Sequence, residues 1–189
     1  MKLLEDRILK DGKIKAGGVL KVDNFLNHQI DPALLYEMAL ELKKLYEGEK
    51  VDKILTIEAS GIALAAMVGY VFSCPLVFAK KSKSKNISDE LYSVEVESFT
   101  HGNTNTVVVS KEYLNEGDNI LIIDDFLATG AALIGLKALA EQAGANVVGA
   151  GIAIEKVFQG GGNMLREQGL RIESMAMIAS MSDDGIEFC

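Results

Sequence analysis

Two adjacent carboxylates, Asp124 and Asp125, close a run of four aliphatic residues, Ile120–Ile123, and Thr129 and Gly130 follow after Phe126-Leu127-Ala128. The aliphatic run predicts a central strand, and the C-terminal end of such a strand is where open parallel sheets place their ligand crevice. Two acids left there without partners would be costly to bury. Ionised, they accept hydrogen bonds, so vicinal sugar hydroxyls suit them, directly or through a metal ion. From Gly130 the chain turns into a predicted helix over Ala131–Ala143, whose first turn leaves backbone N–H groups unpaired. The small residues Ala128, Thr129, Gly130, Ala131 and Ala132 let a phosphate approach those donors at the positive end of the helix dipole, with a hydroxyl from Thr129. The spacing suits a ribose 5-phosphate. A strand, an acidic turn and a glycine-bearing helix start also occur in α/β proteins that bind no phosphate, and the acid pair alone leaves the two readings evenly matched. The chain has neither Gly-Lys-Ser nor Gly-Lys-Thr, and no Gly-x-Gly-x-x-Gly, which disfavours a nucleotide P-loop and a dinucleotide loop.

A second strand-to-helix junction carries Glu58-Ala59-Ser60-Gly61, where backbone N–H groups and the Ser60 hydroxyl could meet an anion, or where Ser60 could simply cap the helix. Lys80, Lys81, Lys83 and Lys85 form a run without acids, for which a solvated surface is the ordinary reading. Asn27 offers a donor and an acceptor but could merely organise the approach to Asp31. Lys156, beside Glu155 just past an apolar strand, reads as a strand-end charge. His28 and His101 are isolated and have no metal spacing.

The elements that must position these groups follow from pattern. Asp31-Pro32 is a helix start, with Leu34, Leu35, Met38, Leu42 and Leu45 at helical spacing until Gly48. Lys53–Glu58 reads as a buried strand, Ile62–Val71 as a helix and Pro75–Ala79 as a strand. Lys80 to Asn105 turns polar around an alternating stretch, Tyr92–Phe99, a long excursion containing a hairpin; Tyr92 belongs to it or packs it. Thr106–Ser110, Asn119–Ile123 and Asn146–Glu155 complete the strands, and Gly144 ends the helix before the last of them. Strands alternating with helices imply an α/β fold with a mainly parallel sheet in one domain.

The composition is that of a globular protein: 49% hydrophobic, 24% charged, two prolines and a net charge of −8. The charge opposes non-specific attraction to nucleic acid. No apolar run is long enough for a membrane helix, Met1–Lys10 is no signal peptide, and Cys74 and Cys189 show no metal or redox spacing, so a cytoplasmic location is expected.

Taken whole, Ile120–Leu133 resembles the phosphoribosyl pyrophosphate signature of type I phosphoribosyltransferases: aliphatic strand, Asp-Asp, spacer, Thr-Gly. One departure is Ala132, where many members carry a phosphate-binding Thr or Ser. The resemblance covers most of the chain, and Leu20–Pro32, Thr56–Ala63 and Ile154–Lys156 are similar to the xanthine-using branch of that family. It implies the type I fold, with a base-binding hood over about residues 1–31 and a flexible hairpin lid over about 80–105. It implies that Asp124 and Asp125 hold the ribose hydroxyls and that residues 128–132 hold the 5-phosphate. It assigns Glu58, Ala59, Ser60, Gly61 and Lys81 to pyrophosphate, and Leu20, Asn27 and Lys156 to xanthine, the lysine facing a base carbonyl. The implied reaction moves the phosphoribosyl group from phosphoribosyl pyrophosphate to N9 of xanthine. Mg2+ would travel with the pyrophosphate, no residue being assigned as its dedicated ligand, and a homodimer is the common assembly. An adenine or guanine–hypoxanthine transferase, a nucleic-acid-binding regulator that senses phosphoribosyl pyrophosphate, and a non-catalytic sugar-phosphate-binding protein are the alternatives. The regulator has little room, since only about thirty residues precede the first expected helix.

Overall fold

A computed structural model describes residues 1–15, 18–81, 90–97, 104–182 and 185–189. In chain order these form α1 (Lys2–Asp11), a hairpin of β1 (Lys13–Lys15) and β2 (Val19–Lys21), a π-helical turn at Asp23–Asn27, α2 (Pro32–Leu45), β3 (Lys53–Ile57), α3 (Gly61–Phe72) and β4 (Leu76–Ala79). There follow a hairpin of β5 (Leu91–Glu97) and β6 (Thr104–Ser110), then β7 (Asn119–Leu127), α4 (Ala131–Gln142), β8 (Asn146–Lys156), a 3-10 turn at Val157–Gln159, α5 (Gly161–Glu167), β9 (Ile172–Ser182) and β10 (Gly185–Phe188).

The sheet has the order β10-β9-β8-β7-β3-β4, parallel throughout except for β10 at one edge. Helices cover both faces, which is why its central strands are continuous aliphatic runs rather than alternating ones. Leu121 and Ile123 of β7 enter a core with α1, α2 and α3; Ile120 and Ile122 enter the opposite core with α4 and Leu165 of α5. The helix after β3 therefore packs on one face and the helix after β7 on the other. Neighbouring strands whose helices depart to opposite faces leave a crevice beyond their carboxyl ends, and here those strands are β3 and β7.

Local chemistry fixes the helices. The Asp31 side chain accepts from Leu34 N at 3.2 Å, Pro32 opens α2, and Leu34, Leu35, Met38, Ala39 and Leu42 form its buried stripe. α1 escapes the pattern reading because its buried stripe is only Leu4 and Ile8, set among charges that pair along the helix surface, Lys2 with Asp6 and Arg7 with Asp11. The segments after Lys156 were likewise not anticipated: α5 is short and glycine-rich, and β9 takes its place from pairing with β8.

One expectation needs revision. β7 does not end before the carboxylates; it runs through them to Leu127 because β8 keeps pairing with it as far as Leu127↔Glu155. Its other edge is released earlier, since pairing with β3 stops at Leu55↔Ile122. Acids are poor strand formers, so only the partner strand explains the extension. Tyr92 lies in β5 opposite Val109 with the Lys111 ammonium 5.7 Å from its ring centroid, and so packs the hairpin. The hairpin itself forms, seated on α4, where Val96 leaves no room for a side chain at Gly135. Lys83, Lys85, His101 and the middle of the expected lid lie outside the described residues.

Candidate functional site

Beyond the ends of β3 and β7 lies a cleft of about 590 Å³. Asp124 and Asp125 line it while only 5% and 8% exposed. The backbone N–H of Asp125 donates to Asp124 Oδ1 at 3.0 Å. Burial, then the charge of Asp125 and the hydrogen bond between the two side chains, push the Asp124 carboxyl well above the usual range; that backbone N–H and the positive charge of Lys81 oppose the shift only in part. A ligand that brings hydroxyl donors or positive charge to this pair relieves the cost.

One wall is the start of α4. Gly130 precedes it with φ +88°, a conformation that favours glycine, and neither a side-chain cap nor an acid occupies the first turn. Thr129, Ala131, Ala132 and Leu133 line the cleft there, so the orphan N–H groups of a helix start sit beside it. The Thr or Ser hydroxyl common at position 132 in the resembling family is replaced by a methyl group, leaving Thr129 and the backbone as donors.

Opposite stands the junction of β3 and α3. Ser60 occupies the N-cap position without a side-chain capping bond, which removes the plain capping reading, and its residue lines the cleft. Glu58 Oε1 accepts from Lys81 N at 2.6 Å, and both residues line the cleft. Ala59 and Gly61 do not. Gly61 lies beneath, where a Cβ would overlap Thr56 Oγ1 and come within 3.3 Å of Asp124 Oδ1. Thr56, wholly buried, has a hydroxyl without a hydrogen-bond partner among the described residues.

The far end is made by the N-terminal segment and the end of β8. Leu20 and Asn27 line it, and Asn27 Oδ1 is buried without a partner among the described residues. Since Asp31 N donates to the Phe25 carbonyl and its carboxylate caps α2, Asn27 is not needed to organise that turn. Lys156 Nζ donates to Gly18 O at 3.1 Å and lies 5.7 Å from the Phe126 ring centroid. Burial lowers its pKa, and no acidic side chain among the described residues compensates it. Its neighbour Glu155 is fully buried and engaged elsewhere, by both Arg166 Nη atoms at 2.7 Å and by the Ser174 hydroxyl. Burial raises the Glu155 pKa, but these hydrogen bonds and the guanidinium charge outweigh it, and the net shift is downward.

The structure thus gathers Asp124, Asp125, residues 128–132, Glu58, Ser60, Lys81, Leu20, Asn27 and Lys156 around one cavity. Sequence reasoning missed Phe126, Gly18, Val19 and the hairpin residues Val96, Asn105 and Val107 that also line it. Phe126 alone carried a signal, an aromatic ring directly after the acid pair.

A model of the phosphoribosyl transferase domain matches residues 21–160. A protein named xanthine phosphoribosyltransferase from Lachnoclostridium phytofermentans is 55% identical over 98% of this chain and 96% of its own. One of the same name from Clostridioides difficile is 53% identical over the whole of both. Among solved structures, adenine phosphoribosyltransferase from Thermoanaerobacter pseudethanolicus superposes with a TM-score of 0.75 at 24% identity, covering 92% of this chain and 99% of that one. The Giardia lamblia enzyme complexed with 9-deazaadenine gives 0.77 at 21% identity, covering 90% and 95%. At these identities the solved structures establish the fold alone, the type I phosphoribosyltransferase fold.

Proposed function

This chain belongs to the phosphoribosyl transferase family, and from that premise we propose that it transfers the 5-phosphoribosyl group of phosphoribosyl pyrophosphate to N9 of xanthine, releasing xanthosine 5′-monophosphate and pyrophosphate in purine salvage. One observation carries the reading: a single cleft joins a buried acid pair and a bare helix start to an uncompensated lysine and an unpartnered amide oxygen. The first two suit a sugar phosphate; the last two suit a base rich in carbonyl oxygens and ring N–H groups. Lys156 favours a carbonyl and repels an amino group, which discriminates against adenine. Asn27 Oδ1 gains the donor it lacks from a base N–H. The full-length similarity to proteins named for xanthine points the same way.

In the reaction the C1′–O bond to pyrophosphate breaks, the N9–C1′ bond forms and the N9 proton is released. No protein nucleophile is required. Asp124 and Asp125 hold the ribose hydroxyls and favour the positive charge that develops on the sugar, while residues 128–132 hold the 5-phosphate. At the β3–α3 junction, Ser60 and Lys81 receive the departing pyrophosphate through the Ser60 hydroxyl and the lysine charge. The family uses Mg2+ with its donor, and the carboxylate oxygens of Asp124 and Asp125 are hard donors of the kind that ion takes. Bound with the pyrophosphate, it supplies charge neutralisation. In this reading Gly18, Val19, Leu20 and Asn27 form the hood over the base, and the β5–β6 hairpin, through Val96, Asn105 and Val107, supplies the described part of a lid that excludes water. The working form in this reading is a cytoplasmic homodimer; both cysteines are free thiols, and no helix among the described residues is long and apolar enough to cross a membrane.

The test is pyrophosphate release from phosphoribosyl pyrophosphate with xanthine, guanine, hypoxanthine and adenine in turn. Xanthine is expected to give the highest kcat/KM; preference for adenine would sink the assignment of Lys156, and silence with all four would sink the enzyme.

A further inference from the structure

The 3-10 turn at Val157–Gln159 leads from Lys156 to α5, a helix of seven residues and thus too short to hold itself. Its position is imposed from two sides. On one, Arg166 grips the fully buried Glu155 with two hydrogen bonds of 2.7 Å and reaches the Ile172 carbonyl at 3.3 Å. A side chain at Gly162 would overlap the Glu155 carboxylate and stand 2.8 Å from Arg166 Nη1. On the other side, Gly161 N donates to Ala128 O at 3.1 Å. A Cβ at Gly161 would overlap Ala128 O and the Thr129 carbonyl carbon and lie 2.6 Å from Gly130 N. Leu165, also buried, approaches within 3.0 Å of where a side chain at Gly130 would begin. α5 is therefore a wedge between the ion pair and the loop 128–130, and it touches both with bare backbone.

We infer that the Glu155–Arg166 pair is a positioning device for the donor, seating α5 so that Gly161 fixes the loop at 128–130. This rests on the proposal that the loop holds the 5-phosphate of phosphoribosyl pyrophosphate. None of the three residues lines the cleft, so Glu155, Arg166 and Gly161 are positioning residues. A loop whose N–H groups must converge on a phosphate loses affinity when it shifts by a fraction of an ångström, whereas the base site rests on the side chains of Lys156 and Asn27, outside that loop.

The experiment uses the full chain with Gly161→Ala, which keeps the ion pair, and Glu155→Gln combined with Arg166→Met, which removes both charges together so that neither is left bare. KM for phosphoribosyl pyrophosphate and for xanthine, amide hydrogen exchange at residues 128–131 without ligand, and Tm are measured. Gly161→Ala is expected to raise KM for the donor about tenfold or more, to change KM for xanthine less than twofold, and to speed loop exchange. The double variant is expected to raise the donor KM more than the base KM. Donor KM and loop exchange equal to wild type in both variants would overturn the inference, as would a parallel loss of both substrates with a falling Tm. If wild type turns over no phosphoribosyl pyrophosphate, the proposed function fails, while loop exchange in the variants still decides whether the pair seats the loop.

Discussion

Lys156 donates to the carbonyl oxygen of Gly18 at 3.1 Å, tying the end of β8 to the β1–β2 hairpin 138 positions earlier. The ammonium is held at the cleft by a neutral acceptor, and among the described residues no carboxylate neutralises it, so a base carbonyl can take over the bond without breaking an ion pair.

Lys156→Met should therefore raise KM for xanthine by about tenfold or more while leaving that for phosphoribosyl pyrophosphate nearly unchanged, the loss of one hydrogen bond to a charged group. Burial lowers the lysine pKa, so the free protein loses this proton at a pH below the ordinary 10.5. The xanthine affinity of wild type should accordingly fall in that alkaline window, and the fall should vanish in the methionine variant. Steady-state kinetics against pH read both.

Asp124→Asn should lower kcat by about 10²-fold or more, on the scale of removing one preorganised electrostatic group, yet leave a more stable fold. The folded-state pKa of Asp124 is raised, so between its ordinary value of 3.8 and that raised value the folded protein binds more protons than the unfolded one. Its contribution to stability is present at low pH and lost as pH rises through the folded pKa; asparagine removes that loss. Thermal melts at neutral pH should show a Tm above wild type, and a lower one would contradict the burial cost assigned to Asp124.

Gly61→Ala places a methyl group 2.3 Å from Thr56 Oγ1, on a short, wholly buried side chain, and 3.3 Å from Asp124 Oδ1. The expected destabilisation is about 1–3 kcal/mol, read by denaturant titration, together with a fall in kcat because the Asp124 carboxylate must move. A variant as stable and active as wild type would mean that the β3–α3 junction relaxes freely.

How far the sequence speaks for itself varies along the chain. Asp31-Pro32 and the stripe from Leu34 to Leu42 announce α2 within a residue of its start, because cap and burial are both local. The aliphatic run at Ile120–Ile123 announces β7, but its continuation through Asp124 and Asp125 depends on β8, a partner brought in from later in the chain. The acid pair and the helix start were legible as a site because their chemistry needs them adjacent. Arg166 was not: a single arginine on a short glycine-rich helix has no pattern, and its meaning appears only when Glu155 is found buried against it. Asn27 is intermediate, since its type suits a base edge but only burial shows its oxygen unpaired.

The sheet divides the interior into two cores, and the walls of the cleft belong to different ones. Leu20, Phe25 and Leu26 with α3 are rooted in the first; α4, the β5–β6 hairpin and Leu165 are rooted in the second. The site is thus a seam in a partition rather than a hollow in one body. Its width can change while each core stays packed, and a loosened core on one side is communicated to one wall before it reaches the other.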